Sequence, residues 1–157
     1  MSNETTEKKV LNTRLSREDG TNTVYNNLLN RSGPLNSERK KYTRDIFRLA
    51  LAYGYINGIR IPLGKKDNFV NKTNFGETLP ALINALAITK STKGIQILAE
   101  DPVDVYQVAE EYANGGLDLL NSEYLENGDD FIEMLRLKIL DFNKDDRILN
   151  KLDELDL

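Results

Sequence analysis

Apolar positions recur along this chain mostly at intervals of three and four, the spacing of one face of an α-helix. Val24, Tyr25, Leu28 and Leu29 fall this way inside "NTVYNNLLNR" and predict a short helix, which "SGPLN" at 32–36 interrupts. From Ser37, a candidate cap, "SERKKYTRDIFRLALAYGYING" is apolar at Ile46, Phe47, Leu49, Ala50, Leu51, Tyr53 and Tyr55. So wide an apolar band predicts a central helix over 39–57 that touches neighbours on several sides. Asn57-Gly58 ends it, because glycine tolerates the left-handed conformation of a helix terminus.

Residues 59–76, "IRIPLGKKDNFVNKTNFG", hold Pro62, Gly64 and Gly76 among scattered apolar residues, which predicts an extended arm or a small hairpin. Helical spacing resumes at Thr78, a candidate N-cap, with Pro80 in the first turn, where a missing N–H costs nothing. Leu79, Leu82, Ile83, Leu86 and Ala87 make the stripe of a helix over 79–90. "TKGIQILAED" reads equally as a short helix or a turn. Asp101 and Pro102 then open a helix over 102–124, and Asp129 or Asp130 caps another over 129–143. The last residues, "DRILNKLDELDL", either extend that helix or form a separate short one.

The stretch "EEYANGGLDLL", 110–120, places two adjacent glycines inside a helical pattern. Val105, Val108, Ala109, Tyr112, Gly116, Leu119 and Leu120 stay in one register across them, so the helix is expected to run through. Two interior glycines cost a helix about 1 kcal/mol each relative to alanine. Gly116 on the apolar face suggests an offsetting notch for another helix, with Phe47 or Tyr53 lying across it. Gly58, Tyr112, Asn114, Gly115 and Gly116 are thus structural candidates. The fold expected is mainly α: a compact helical domain of four to six helices over 21–157, preceded by a flexible polar N-terminal arm, 1–20.

Composition narrows the chemistry. The 157 residues include no cysteine and no histidine. Thiolate chemistry, imidazole ligands and the usual neutral-pH general base are therefore absent, and an enzyme is not expected. No cofactor and no metal site are expected. "DFNKDDRILNKLDE" mimics a calcium loop at Asp141, Asn143 and Asp145, but Asp146 stands where the turn needs glycine and Leu152 where a bidentate glutamate belongs. Glu110, Glu111, Asp104 and Glu133 are carboxylates on helices, and Glu110 and Glu111 read as solvated because they lie mainly off the apolar stripe. A metal-dependent nuclease built on them is the least favoured reading. "GKKD" lacks the spacing of a phosphate loop. No apolar run is long enough to cross a membrane, and the N-terminus has no secretory signal, which points to a cytoplasmic protein.

Charge adds one lead. The net charge of −4 divides into +7 over residues 1–75 and −11 over 76–157. Lys40, Arg44 and Arg48 step by four along one helix face, with Arg39 and Lys41 beside them and Arg60, Lys65 and Lys66 on the following arm. Cations at that spacing can track backbone phosphates without reading sequence. The competing reading is a solvated helix face that pairs with the acidic half.

Three segments, "RDIFRLALAYGYINGIRIPL" (44–63), "LINALAI" (82–88) and "VAEEYANGGLDLL" (108–120), resemble in order and spacing the Dnd system-associated protein 4 family, small proteins encoded beside bacterial DNA phosphorothioation systems. "EEYANGG" is the most specific piece, and the likeness spans about 40–122. The resemblance implies a bacterial cytoplasmic setting, a link to DNA modification, restriction or phage defence, and partners among the proteins of that operon. It supplies no catalytic residues. Two functions are consistent with it: an accessory protein that touches DNA through the basic face, and an adaptor that docks onto a larger component without touching nucleic acid. The adaptor's interface would be the acidic half or an exposed apolar strip around Tyr53 and Tyr55. Oligomeric state stays open.

Overall fold

The structure, a computed structural model, describes residues 14–31, 43–71, 74, 76–100 and 102–143. In chain order these form β1 (Arg14–Glu18), α1 (Asn22–Arg31), α2 (Thr43–Ile56), β2 (Lys66–Asn71), α3 (Thr78–Lys90), α4 (Ile97–Glu100), α5 (Pro102–Asn127) and α6 (Phe131–Asn143). A single 3-10 turn precedes each of α4 and α6, at Gly94–Gln96 and Gly128–Asp130. The fold is mainly helical, as the spacing of apolar residues predicts. Helix α5 runs unbroken through Asn114, Gly115 and Gly116.

The long helix α5, not α2, is the most enclosed element. Helices α1, α2, α3, α4 and α6 and strand β1 all pack against it. Its residues 108–113 and 115–117 are all buried, on every side of the helix. One hydrophobic cluster joins Phe47, Ala50 and Leu51 of α2, Leu79, Ile83 and Ala87 of α3, Val105, Ala109, Leu117 and Leu120 of α5, and Phe131 and Leu135 of α6.

Glycine sets how closely α2 and α5 cross. A Cβ built on Gly116 would lie 1.8 Å from the Ala50 carbonyl oxygen, and one on Gly54 would lie 2.0 Å from the Tyr112 carbonyl oxygen. Two glycines therefore face each other and the helices meet backbone to backbone. The contact at Gly116 is thus the peptide of Ala50–Gly54, and not the ring of Phe47 or Tyr53. Close dispersion contact along the crossing offsets the propensity cost of interior glycine. Helix α2 ends as expected at Gly58, whose φ is +67°. Ile59 N–H donates to the Gly54 carbonyl (2.8 Å) and Gly58 N–H to the Tyr55 carbonyl (3.1 Å), which is a Schellman closure.

Strand β1 lies within residues 1–20, the region expected to be a polar arm. Residues 14–18 pair antiparallel with β2, from Arg14 opposite Asn71 to Glu18 opposite Lys66, with a register shift between Leu15 and Ser16. The strand at 66–71, within the stretch expected to be an arm or hairpin, thus finds its partner far upstream. Alternation is hidden in "RLSRE" because Leu15 and Ser16 are both buried. Helix α3 departs at its start: Glu77 occupies the cap position without a side-chain bond, and Thr78 is already helical. Asp101, the expected cap of α5, lies outside the described residues, as do Ser37 and the beginning of the expected 39–57 helix.

Candidate functional site

The motif "EEYANGG" is a clamp built on one helix. Glu110 and Glu111, expected on the surface, are each only 5% exposed. The sheet and the 59–62 segment cover that side of α5, which no spacing along α5 itself could announce. Glu110 accepts the Ser16 backbone N–H at 2.7 Å and an ion pair from Lys66 at 3.5 Å. Glu111 accepts from Arg60 Nε at 2.6 Å and from Gln107 at 2.8 Å, while its backbone carbonyl takes the Ile61 N–H at 3.1 Å. Asn114 donates to the carbonyls of Ile61 (3.3 Å) and Pro62 (3.5 Å). Gly115 leaves room for the arm, because a Cβ there would sit 2.7 Å from the Ile59 carbonyl oxygen. The Tyr112 ring packs edge-on against Tyr55, 5.7 Å between centroids, beneath the Arg60 guanidinium. The five structural candidates therefore meet at one place, where α2 and the arm cross α5.

The basic lead resolves differently. Arg39, Lys40 and Lys41 lie outside the described residues. Each of the other five has a carboxylate within 4 Å. Arg44 and Arg48 lie 3.9 and 3.8 Å from Asp45, and Arg44 also donates to the Asn74 carbonyl at 2.9 Å. Arg60 and Lys66 reach Glu111 and Glu110, and Lys65 reaches Asp19 at 2.6 Å. The Lys65 ammonium holds the Asp19 carboxyl below its ordinary value, and Asp19 raises Lys65 in return. The arm's cations thus face carboxylates of the same molecule.

A second cluster joins α2, α5 and α6. The Tyr53 hydroxyl donates to Glu123 and accepts from Lys138 at 2.8 Å, while Lys138 also bonds Glu123. Burial, then the bond to Glu123, raises the Tyr53 phenol. For Lys138 burial acts downward, but its bonds to Glu123 and Tyr53 outweigh it and the ammonium is raised. Tyr53, half of the expected exposed strip, is therefore 8% exposed and engaged, whereas Tyr55 is 47% exposed.

Tyr55 lines an open apolar groove. The groove, of about 380 Å³, lies between α2 and α3, lined by Leu51, Ala52, Tyr55 and Ile56 on one wall and Leu82, Ala85, Leu86 and Thr89 on the other. Ile56 is 48% exposed and Leu82, expected in the core stripe, is 54% exposed. The two helices run side by side in the same sense: Arg44 near the start of α2 meets Asn74 before α3, and the Lys90 ammonium at the end of α3 lies 5.3 Å from the Tyr55 ring centroid. Polar capacity inside the groove is small, since Thr89 spends its hydroxyl on the Leu86 carbonyl at 2.9 Å. The sequence places Leu82 in the core stripe and singles out neither Ala85 nor Thr89, so the second apolar wall went unseen. The available signal was that α3, "TLPALINALAITK", is apolar on more than one face, and its core side takes only one of them.

Among the described residues no group of His, Cys, Asp and Glu is arranged to hold a metal ion, and no helix is long and apolar enough to cross a membrane. The fold defines a small, mainly helical protein with an open apolar groove between α2 and α3. Residues 21–157 match the family described as DNA sulphur modification system-associated protein 4, and the chain belongs to that family. No curated protein and no solved structure matches it. The match extends the resemblance seen at 40–122 in both directions, through α1 and α6. The family's description associates the protein with a DNA sulphur modification system and, by that word, with the other proteins of the system.

Proposed function

We propose that this protein is an adaptor of a DNA sulphur modification system, docking through the α2–α3 groove onto another protein of that system. The observation that carries the reading is the groove, a concave apolar surface bounded by Tyr55, Ile56 and Leu82, all about half exposed. A contiguous exposed apolar surface with a polar margin is the usual character of a protein-contact site. The pairing of Arg60 and Lys66 with buried carboxylates supports the same choice. Those two cations would have to leave Glu111 and Glu110 before tracking phosphates.

Co-expression with the neighbouring proteins of the system, followed by purification through a tag on this chain, tests the idea. The native protein is expected to retain one defined component. Leu82→Glu, at a half-exposed position, is expected to release it while leaving the melting temperature unchanged, and an Arg44→Glu/Arg48→Glu double variant is expected to keep it. Retention of the component by Leu82→Glu would remove the adaptor reading. Binding of duplex DNA at low salt, lost in the double arginine variant, would instead favour the accessory protein that contacts the DNA backbone.

A further inference from the structure

The groove also constrains the chemistry of what fills it. Both walls are helices, so their backbone N–H and C=O groups are spent within α2 and α3. An extended peptide laid between them would find no main-chain partners and would bury its own unpaired amides, each costing about a lost hydrogen bond. An occupant must bring a backbone that is already satisfied, and a helix does so. The dimensions agree. From Leu82 to Thr89 the α3 wall is about 10 Å long at 1.5 Å per residue. That accommodates roughly two turns of a guest whose anchors fall at i, i+3, i+4 and i+7.

Charge at the margins selects further. Lining residues carry no charge. At the end formed by the helix C-termini, Lys90 holds its ammonium over Tyr55. One turn before Ala52, on the same face of α2, stands the half-exposed Arg48, shared with Asp45. A guest helix with carboxylates beside its apolar stripe places one against Lys90, whose ammonium lies over the Tyr55 ring. We infer that the groove takes an acidic amphipathic helix, with leucine-sized anchors in the groove and a carboxylate at Lys90. This rests on the adaptor reading and names the chemistry of its partner.

The test uses the full chain and synthetic, fluorescently labelled peptides of about four helical turns. One peptide has leucines at i, i+3, i+4 and i+7 flanked by glutamate. A second has the same leucines flanked by lysine, and a third is the acidic peptide interrupted by a central proline. Fluorescence anisotropy is expected to show the acidic helix binding at least about tenfold more tightly than the other two. Lys90→Glu is expected to reverse the preference between the acidic and basic peptides, and Leu82→Glu to abolish binding of both. Equal binding of the proline-broken peptide overturns the helix, and an unchanged preference in Lys90→Glu overturns the carboxylate. If the acidic peptide binds only after residues 144–157 are deleted, the chain's own C-terminal segment is the occupant. If sedimentation shows a dimer that Leu82→Glu dissolves, the occupant is a second copy. Either result overturns the partner helix. Loss of the system component from Leu82→Glu without any peptide preference sinks this inference but spares the adaptor. Peptide preference without a retained component does the reverse.

Discussion

At the scale of the residue, the close crossing of α2 and α5 makes the sharpest prediction. Replacing Gly116 by alanine puts a methyl group 1.8 Å from the Ala50 carbonyl oxygen, a rigid backbone atom. The helices must separate or the site must strain, at a cost of about 1–3 kcal/mol or more. Gly58→Ala meets nothing within 4 Å but keeps a φ of +67°, and should cost about 1–2 kcal/mol from backbone strain alone. Urea unfolding of the two variants checks the ranking; a Gly116→Ala midpoint equal to that of the native chain would refute the crossing. Glu110→Ala strands the buried N–H of Ser16, 1% exposed, and is expected to cost about 1–3 kcal/mol. Register along α5 was enough to foresee the notch at Gly116, because periodicity reports what one helix presents. It could not foresee Gly54 opposite, or the burial of Glu110 and Glu111, because those depend on which distant strand covers the helix. A buried glutamate and a solvated one look alike until a partner such as Ser16 is known.

At the scale of the element, the helices themselves were legible, but what their apolar stripes met was legible only where they faced the core. Phe131, Leu135 and Ile139 share one face of α6, yet exposure rises along it from 4% to 7% to 55%. Helix α6 is therefore packed at its start and held farther on by the Lys138 contacts to Tyr53 and Glu123. The folded protein binds the Tyr53 and Lys138 protons more tightly than the unfolded chain does, since both groups are raised above their ordinary values of 10.0 and 10.5. Their contribution is complete below about pH 10 and is lost as pH rises past those values. Lys138 is half exposed, so the effect is local loosening and not global collapse. Methyl NMR between pH 9 and 11 should show the Leu135 and Leu137 signals moving before those of Leu51 and Leu120. Lys138→Met should show the same loosening at neutral pH. Simultaneous movement of all four signals would mean that α6 is not held separately. Tyr25, raised by burial in the core, is expected to ionise only with global unfolding.

At the scale of the whole molecule, the charge split becomes an argument about salt. A chain of net −4 whose halves carry +7 and −11 has two electrostatic outcomes. If the halves lay apart, repulsion within the acidic half would dominate and added salt would stabilise the fold by screening it. The fold instead brings the arm's Arg60 and Lys66 onto Glu111 and Glu110 of the acidic half. Attraction across the halves is then part of what folding gains, and salt weakens it. The screening length falls from about 30 Å at 0.01 M to about 3 Å at 1 M, so the exposed ends of these pairs feel the change although the carboxylates are buried. A loss of about 1 kcal/mol between low and high sodium chloride corresponds to a fall of roughly 2–4 °C in melting temperature for a chain of this size. A Glu110→Gln/Glu111→Gln variant should melt lower at low salt and lose that dependence, because it leaves Arg60 and Lys66 without their carboxylates but keeps the size of both side chains. A native melting temperature that climbs with sodium chloride from the lowest concentration would mean that repulsion outweighs the pairing. The cations of the arm would then be held too weakly to argue for an adaptor over a phosphate-tracking surface.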